Sequence, residues 1–142
     1  MFSSAARYAL RATAHLGSLP ADGYVPARQL AEALDIPPTF LAKVLKQLVD
    51  AGLLVAFRGP TGGVKLSRPA DEITLRQIIE SVDGSAVFTE CVLGLPGCGD
   101  LEPCPLHEGW APIRGALAAE FDRQTIASVS EAYLEGALRL RP

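Results

Sequence analysis

A three-residue turn between two helical patterns constrains the fold more than any other feature of the sequence. Apolar residues recur at helical spacing over residues 26–34 and again over residues 38–51. Asp35-Ile36-Pro37 lies between the two patterns, and Gly52 can end the second helix in a left-handed conformation. Two helices joined so closely, the second longer than the first, are typical of a helix-turn-helix.

The second of these helices has an apolar face and a polar face. The apolar face is formed by Leu41, Val44, Leu45 and Leu48. The helix start and its other side carry the residues that we predict to contact DNA, namely Thr39, Phe40, Lys43, Lys46 and Gln47. A major groove is about as wide as a helix, so such side chains can reach bases or phosphates there, and Arg28 on the preceding helix can hold a phosphate. From the helices alone, a hairpin of two helices with solvated lysines is an equally good interpretation.

A glycine-rich hairpin directly after the helices favours DNA binding over that alternative. Residues 53–57 and 64–67 have the pattern of two short strands, and Arg58-Gly-Pro-Thr-Gly-Gly63 connects them. A hairpin in this place is the wing of a winged helix-turn-helix, which can follow the DNA backbone or insert Arg58 into a narrow minor groove. The wing residues predicted to bind DNA are Arg58, Gly59, Gly62 and Gly63. The segment lacks the GxxxxGK[ST] pattern, which argues against nucleotide binding.

The charge distribution agrees with a nucleic-acid partner for the first half of the chain. The net charge of the 142 residues is -3, but residues 1–68 carry eight Lys or Arg against four Asp or Glu, whereas residues 69–142 carry five against twelve. The basic half can therefore face phosphates. Because the apolar runs are short and the N-terminal segment lacks the apolar region of a secretory signal, we expect a cytoplasmic protein without a membrane partner.

The second half of the chain is expected to be helical around one irregular loop. Helices are predicted over residues 73–82, about 106–125 and about 128–138. An apolar stripe on the long middle helix, formed by Trp110, Ile113, Leu117 and Phe121, is expected to pack against a second subunit. The predicted fold is thus mainly α with a small β-hairpin wing, divided into a winged helix-turn-helix (1–68), a linker helix with a cysteine loop (69–105) and dimerisation helices (106–142).

All three cysteines lie in one Gly- and Pro-rich loop, and a histidine follows the last of them. Cys91, Cys98, Cys104 and His107 have the spacing C-x6-C-x5-C-x2-H. This spacing lacks the C-x2-4-C knuckle of structural zinc sites, whereas the ligands of a larger iron-sulfur cluster can be spread along a loop. We therefore favour a cluster held by three thiolates and one imidazole. The alternatives are a zinc site, a thiol switch, a Cys104–His107 nucleophile pair and three inert cysteines.

Five features together resemble the iron-sulfur winged-helix transcription regulators, the family of IscR- and NsrR-like proteins. They are RYALRA (7–12), FLAKVLKQLVDAGLL (40–54), RGPTGGV (58–64), ITLRQIIESVDG (73–84) and the three cysteines. The resemblance covers nearly the whole chain. It implies a homodimer that crosses through its long helices and binds a palindromic operator in double-stranded DNA. It also implies that Cys91, Cys98 and Cys104, together with His107, hold a 2Fe-2S cluster.

Two comparisons with that family concern the cluster site, the first the path of the loop and the second the type of cluster. The first cysteine spacing is one residue longer here than in IscR-like members. The nitric-oxide-sensing branch can hold a 4Fe-4S cluster with an N-terminal aspartate of the other subunit, and the residue aligned with that aspartate here is Arg7. We therefore prefer 2Fe-2S over 4Fe-4S.

The predicted function is that of a DNA-binding regulator, preferably a repressor and not an enzyme, that senses cluster status, redox conditions or nitric oxide. One alternative is a cluster-free regulator of the same fold that responds to thiol oxidation or to a ligand. A small thiol enzyme that uses Cys104 with His107 is the other.

Overall fold

The fold is arranged around the first helix, which has small residues on the side that faces the rest of the chain. The computed structural model describes residues 1–97, 99, 101–136 and 138–142. Within these residues the elements are α1 (Ser4–Gly17), α2 (Ala27–Leu34), α3 (Pro38–Asp50), β1 (Leu54–Phe57), β2 (Gly63–Leu66), a 3-10 turn (Ala70–Glu72), α4 (Leu75–Asp83), α5 (Ala86–Thr89), α6 (His107–Arg123) and α7 (Ile126–Glu135). Ala6, Ala9 and Ala12 are fully buried. Their small side chains let α3, α4 and α7 pack closely against α1.

α2 and α3 form the predicted helix-turn-helix. Asp35 ends α2 in the left-handed conformation, with φ 54°, and the Ile36 N–H donates to the Ala31 carbonyl at 3.0 Å. Gly52 follows α3 with φ 77° and allows the chain to turn towards β1. The bounds of both helices agree with the predicted ones within one residue, so the predicted layout is confirmed.

β1 and β2 form the predicted wing. A third segment, which the sequence pattern did not indicate, pairs with β2. The two strands pair antiparallel from Leu54↔Leu66 to Phe57↔Gly63. Val25 forms an isolated bridge with Val64, in which each N–H donates to the other residue's carbonyl at 2.9 Å. The segment just before α2 therefore tethers the wing to the helix-turn-helix.

Capping boxes determine where two of the later helices begin. The Thr74 hydroxyl accepts from the Gln77 N–H while the Gln77 side chain accepts from the Thr74 N–H, and Thr125 and Ser128 repeat this arrangement. As a result α4 starts two residues later than predicted and α7 starts two residues earlier. The predicted end of the last helix was also too late, because α7 ends at Glu135.

α6 is mostly exposed, although part of its apolar stripe joins a small second core. This core combines Phe2, Ala6, Ile79, Val82, Val87, Phe88, Leu117, Ala118 and Phe121 with Leu10. Phe88 belongs to α5, a one-turn helix that the sequence did not predict. Ile113 is 57% exposed, and His107 is the one buried residue of α6. Leu117 and Phe121 of the predicted stripe thus also have partners within the chain.

The main core extends across the boundary predicted at residue 68. It includes Leu30, Leu41 and Leu48 from the helix-turn-helix together with Ile73, Ile78 and Ile126 from the rest of the chain. The predicted segments 1–68, 69–105 and 106–142 therefore all contribute residues to one hydrophobic core. Among the described residues, no helix is both long and apolar enough to cross a membrane.

Candidate functional site

The polar face of α3 is open to solvent. Its four predicted apolar residues are buried in the core, and its predicted polar residues are all exposed, namely Thr39, Lys43, Lys46 and Gln47. Lys46 pairs with Asp50, with 2.8 Å between Nζ and Oδ2. Because both side chains are largely exposed, this pair is weak, and a phosphate can compete with Asp50 for the ammonium group. The face can therefore supply hydrogen-bond donors to a major groove.

Phe40 contacts α1 at the start of α3. Its ring lies 5.4 Å from that of Tyr8 in an edge-on arrangement, and the residue is 41% exposed. The Arg11 guanidinium carbon lies 5.7 Å from the centre of the same Tyr8 ring. These contacts hold the first turn of α3 against α1. Tyr8 is thus a positioning residue that the sequence-based set of site residues did not contain.

Arg28 lies at the start of α2, as predicted. Its side chain is 87% exposed, and its Nε lies 3.5 Å from Glu32 Oε1. An exposed pair of this kind contributes little to stability. The guanidinium can therefore turn towards a phosphate at small cost.

The wing exposes Arg58 directly after β1. Gly59 follows with φ 121°. A Cβ at Gly62 would lie 2.1 Å from the Phe57 carbonyl oxygen, and a Cβ at Gly63 would lie 2.2 Å from the Val25 carbonyl oxygen. Backbone packing therefore explains Gly62 and Gly63 without a DNA contact, whereas Arg58 is placed to make one.

The wing carries a second basic side chain, which was not among the residues predicted from the sequence to bind DNA. Lys65 of β2 has its Nζ 4.8 Å from the centre of the Tyr24 ring, and that ring lies 5.6 Å from the ring of Phe57. Lys65 is the register partner of Val55, on the side of the hairpin opposite the buried Val64. The alternation of side chains along a strand was the signal that could have identified it.

The structure brings two of the predicted metal ligands together. Cys91 Sγ and Cys104 Sγ lie 3.4 Å apart, and Cys91 is 6% exposed. Two thiolates on one tetrahedral ion, with bonds of about 2.3 Å, lie about 3.8 Å apart. The observed separation is therefore near that of shared metal ligands. The third predicted thiol, Cys98, lies outside the described residues.

His107 is buried at the first position of α6, with 9% exposure. The backbone N–H of His107 donates to the Cys104 carbonyl at 3.0 Å. In the part of the chain that the structure describes, no three His, Cys, Asp or Glu side chains are placed to hold a single ion. The two thiols are thus in contact. His107 lies three residues after Cys104, and among the described residues these three side chains are not arranged around a single ion. A cluster with more than one iron has ligands that are spread more widely than those of a single ion.

The polypeptide just before Cys91 is held by α6. Trp110 Nε1 and Arg114 Nη1 both donate to the Glu90 carbonyl, at 3.3 and 3.1 Å. The Leu93 N–H points at Cys91 Sγ with a distance of 3.4 Å, and a backbone donor of this kind favours a thiolate. The loop start is therefore anchored to the helix that carries the predicted imidazole.

The comparison with protein families agrees with a winged helix-turn-helix that binds DNA. The model of Rrf2, described as an iron-dependent transcriptional regulator, matches residues 2–132. The chain belongs to the Rrf2 family. The resemblance that the sequence motifs indicated is thereby confirmed, and this Rrf2 protein is a DNA-binding transcriptional regulator.

Individual relatives support the same assignment for the Rrf2 protein. It is 34% identical to an HTH-type transcriptional regulator of Aquifex aeolicus over 128 residues, which cover 89% of this chain and 88% of that protein. It is 31% identical to the HTH-type transcriptional regulator IscR of Aliivibrio salmonicida over 120 residues, 84% of this chain and 71% of IscR. The structure of CymR, the global cysteine regulator of B. subtilis, superposes with a TM-score of 0.79 at 25% identity and covers 93% of this chain and 97% of CymR.

One arginine connects the helices on either side of the cysteine loop in the Rrf2 protein. Arg76 of α4 pairs with Glu80 at 2.8 Å and with Asp122 of α6 at 3.0 Å, and its guanidinium carbon lies 5.1 Å from the centre of the Phe88 ring. The hydrogen bonds that Arg76 donates to Glu80 and, to a smaller extent, to Asp122 raise the pKa of Arg76. The i,i+4 spacing of Arg76 and Glu80 is a local signal in the sequence, whereas Asp122 is distant in the chain.

Proposed function

We propose that this Rrf2-family protein is a homodimeric repressor of transcription whose binding to a palindromic operator is controlled by an iron-sulfur cluster. The proposed ligands are Cys91, Cys98, Cys104 and His107, and 2Fe-2S is preferred over 4Fe-4S. The single observation that carries the proposal is the 3.4 Å separation of the Cys91 and Cys104 sulfurs. The iron-dependent character of the matching family supports it.

The chemistry of the donors fits such a cluster. Cys91 is buried beside the Leu93 N–H, so a charged thiolate there is shielded from water and receives a backbone hydrogen bond. His107 adds an imidazole, which binds metal as a neutral ligand, at the start of α6. When bound, an iron-sulfur cluster supplies a centre whose oxidation state and integrity depend on redox conditions.

Packed side chains connect the loop to the helix that would read DNA. Phe88, three residues before Cys91, packs in the second core with Ala6 of α1. Two residues further along α1, Tyr8 contacts the ring of Phe40 at the start of α3. In the proposed dimer the two α3 helices must enter successive major grooves about 34 Å apart. A change in the loop that moves α1 therefore changes the spacing of both recognition helices.

The proposed DNA contacts divide into base reading and phosphate binding. The α3 residues Thr39, Lys43, Lys46 and Gln47 are proposed to enter the major groove. Arg28 is proposed to hold a phosphate, and Arg58 to follow the backbone or enter the minor groove. Phe40, Gly59, Gly62 and Gly63 are proposed to shape the contacting surface.

The dimer is proposed to form through α6. Of the 17 residues of this helix only His107 is buried, and Ile113 presents an apolar side chain to solvent. Pairing with the same helix of a second copy would cover it and would set the distance between the two winged domains.

The decisive experiment is to purify the protein without oxygen and to measure iron, acid-labile sulfide and the visible spectrum. We expect iron and sulfide in equal amounts and a coloured protein. Cys104→Ala should lose both while keeping its helical circular dichroism. As a matched control, Arg58→Ala should keep the cluster and lose DNA affinity. Wild-type protein that contains neither iron nor sulfide would refute the cluster.

A second candidate, a cluster-free thiol switch, is favoured by the same pair of sulfurs. A disulfide has an S–S bond of about 2.05 Å, so Cys91 and Cys104 need to approach by little more than an ångström. A two-electron oxidant such as a peroxide would take two electrons and two protons from the thiols and leave the disulfide and water. Peptide mapping of colourless, peroxide-treated protein should then show a Cys91–Cys104 link, which Cys91→Ser abolishes. A protein that shows no such link would exclude this candidate.

A further inference from the structure

A cluster of arginines lies beside the helix-turn-helix, where the C-terminal segment (138–142) returns to α1. Arg11 donates from Nε to the Leu140 carbonyl and from Nη2 to the Leu34 carbonyl. One guanidinium thus joins the C-terminal segment to the last residue of α2. A cleft of about 260 Å³ beside it is lined by Arg11, Arg139, Leu140, Arg141 and Pro142.

Three of the residues that line the cleft are arginines, so the cleft carries positive charge. Arg139 and Arg141 are exposed, and the ion pairs found among the described residues involve neither of them. No Asp or Glu is among the described residues that line the cleft. Three guanidinium groups at one cleft repel each other unless an anion lies between them. This end of the otherwise acidic second half is therefore suited to an anionic partner.

The position of the cleft identifies that partner. The Arg11 guanidinium carbon lies 5.7 Å from the centre of the Tyr8 ring, which in turn lies 5.4 Å from the ring of Phe40 in the first turn of α3. Leu34, which Arg11 holds, is followed directly by the turn that leads into α3. In helix-turn-helix proteins the first turn of the recognition helix is the part that approaches the bases. With α3 in a major groove, the DNA backbone would be the polyanion nearest to this cleft.

We infer that Arg139 and Arg141 bind phosphates of the duplex, so that the C-terminal segment is an additional DNA-binding element which Arg11 fastens to the helix-turn-helix. The inference rests on the proposed entry of α3 into the major groove. Phosphate contacts carry no sequence information, so the element strengthens binding to any duplex. It also explains why two arginines stand at the end of an acidic half of the chain.

The test is a salt titration with a fluorescent random-sequence duplex of about 30 base pairs as the probe. The plot of log K against log salt has a negative slope, and each lost phosphate contact reduces its magnitude by about 0.9. In a dimer with four such contacts, Arg139→Ala/Arg141→Ala should therefore reduce the magnitude by about 3 to 4. The wild type should then lose about 100-fold more affinity than the variant between about 50 and 200 mM salt. Circular dichroism checks that the variant is folded.

Two control variants make the outcome specific. Arg139→Lys/Arg141→Lys keeps the charges and should keep the wild-type slope. Arg123→Ala removes an exposed arginine that already pairs with Glu120 at 2.6 Å and should leave the slope unchanged. A double alanine variant with the wild-type slope overturns the inference while DNA binding stands. A wild type whose binding does not depend on salt refutes both.

Discussion

Gly63→Ala should detach the wing from the segment that precedes α2. At Gly63 φ is 152°, and an added Cβ would lie 2.2 Å from the Val25 carbonyl oxygen and 2.6 Å from the Pro26 nitrogen. These are backbone atoms, which cannot rotate away, so the bridge between Val25 and Val64 must open. Its two hydrogen bonds are worth about 1 kcal/mol each, and the backbone strain adds about 1–2 kcal/mol. We expect the free energy of unfolding to fall by about 3–4 kcal/mol.

Urea unfolding monitored by circular dichroism measures this loss, and Gly59→Ala provides the matched control. Gly59 also has a positive φ, 121°, but nothing lies within 4 Å of an added Cβ. The control should therefore show only the strain, about 1–2 kcal/mol. Gly63→Ala should also weaken binding to a duplex, since the displaced wing no longer presents Arg58 correctly. Equal destabilisation of the two variants would refute the reasoning.

Four further substitutions test other parts of the structure. Lys43→Ala or Arg58→Ala should each lower the slope of log K against log salt by about 1 per lost phosphate contact, and an unchanged slope in an anisotropy titration contradicts that assignment. Burial lowers the pKa of His15, whose Nδ1 has no hydrogen-bond partner among the residues that the structure describes. The folded state therefore prefers the neutral ring, and stability should decline as the pH falls from about 6.5 through the lowered pKa. His15→Gln should remove this decline, and parallel stability profiles for the two proteins would disprove it. Thr74→Ala breaks the capping box with Gln77 and should cost about 1 kcal/mol in urea unfolding, whereas a loss below about 0.3 kcal/mol would show that the cap is dispensable.

The parts of the fold that were predictable are those set by local rules. The spacing of Leu41, Val44 and Leu48 places them on one side of any α-helix, and that side is the buried one in the structure. Gly52 was the expected end of α3 because its φ of 77° is easily reached only by glycine. The wing followed from two short β patterns around a glycine-rich connection.

The features that were not predictable depend on contacts between distant residues. The Val25–Val64 bridge joins one residue of a loop to a strand, and a single residue carries no alternation to detect. α5 is a single turn, too short for a helical pattern, yet Phe88 within it is buried. The bond from Arg11 to the Leu140 carbonyl spans 129 positions of the chain. For the site, the cysteine spacing suggested a metal, but only the structure shows that Cys91 and Cys104 meet.

The sequence by itself determined the kind of elements, their order and the chemistry of their exposed side chains, because helix periodicity, turn residues and thiol spacing act over a few residues. Tertiary structure alone decided which of those elements touch. It placed Phe40 against Tyr8, fastened the C-terminal segment to the helix-turn-helix and divided the stripe of α6 between a core and solvent. The physical reason is that burial depends on the shape of the surfaces that meet, and that shape exists only once the whole chain has packed.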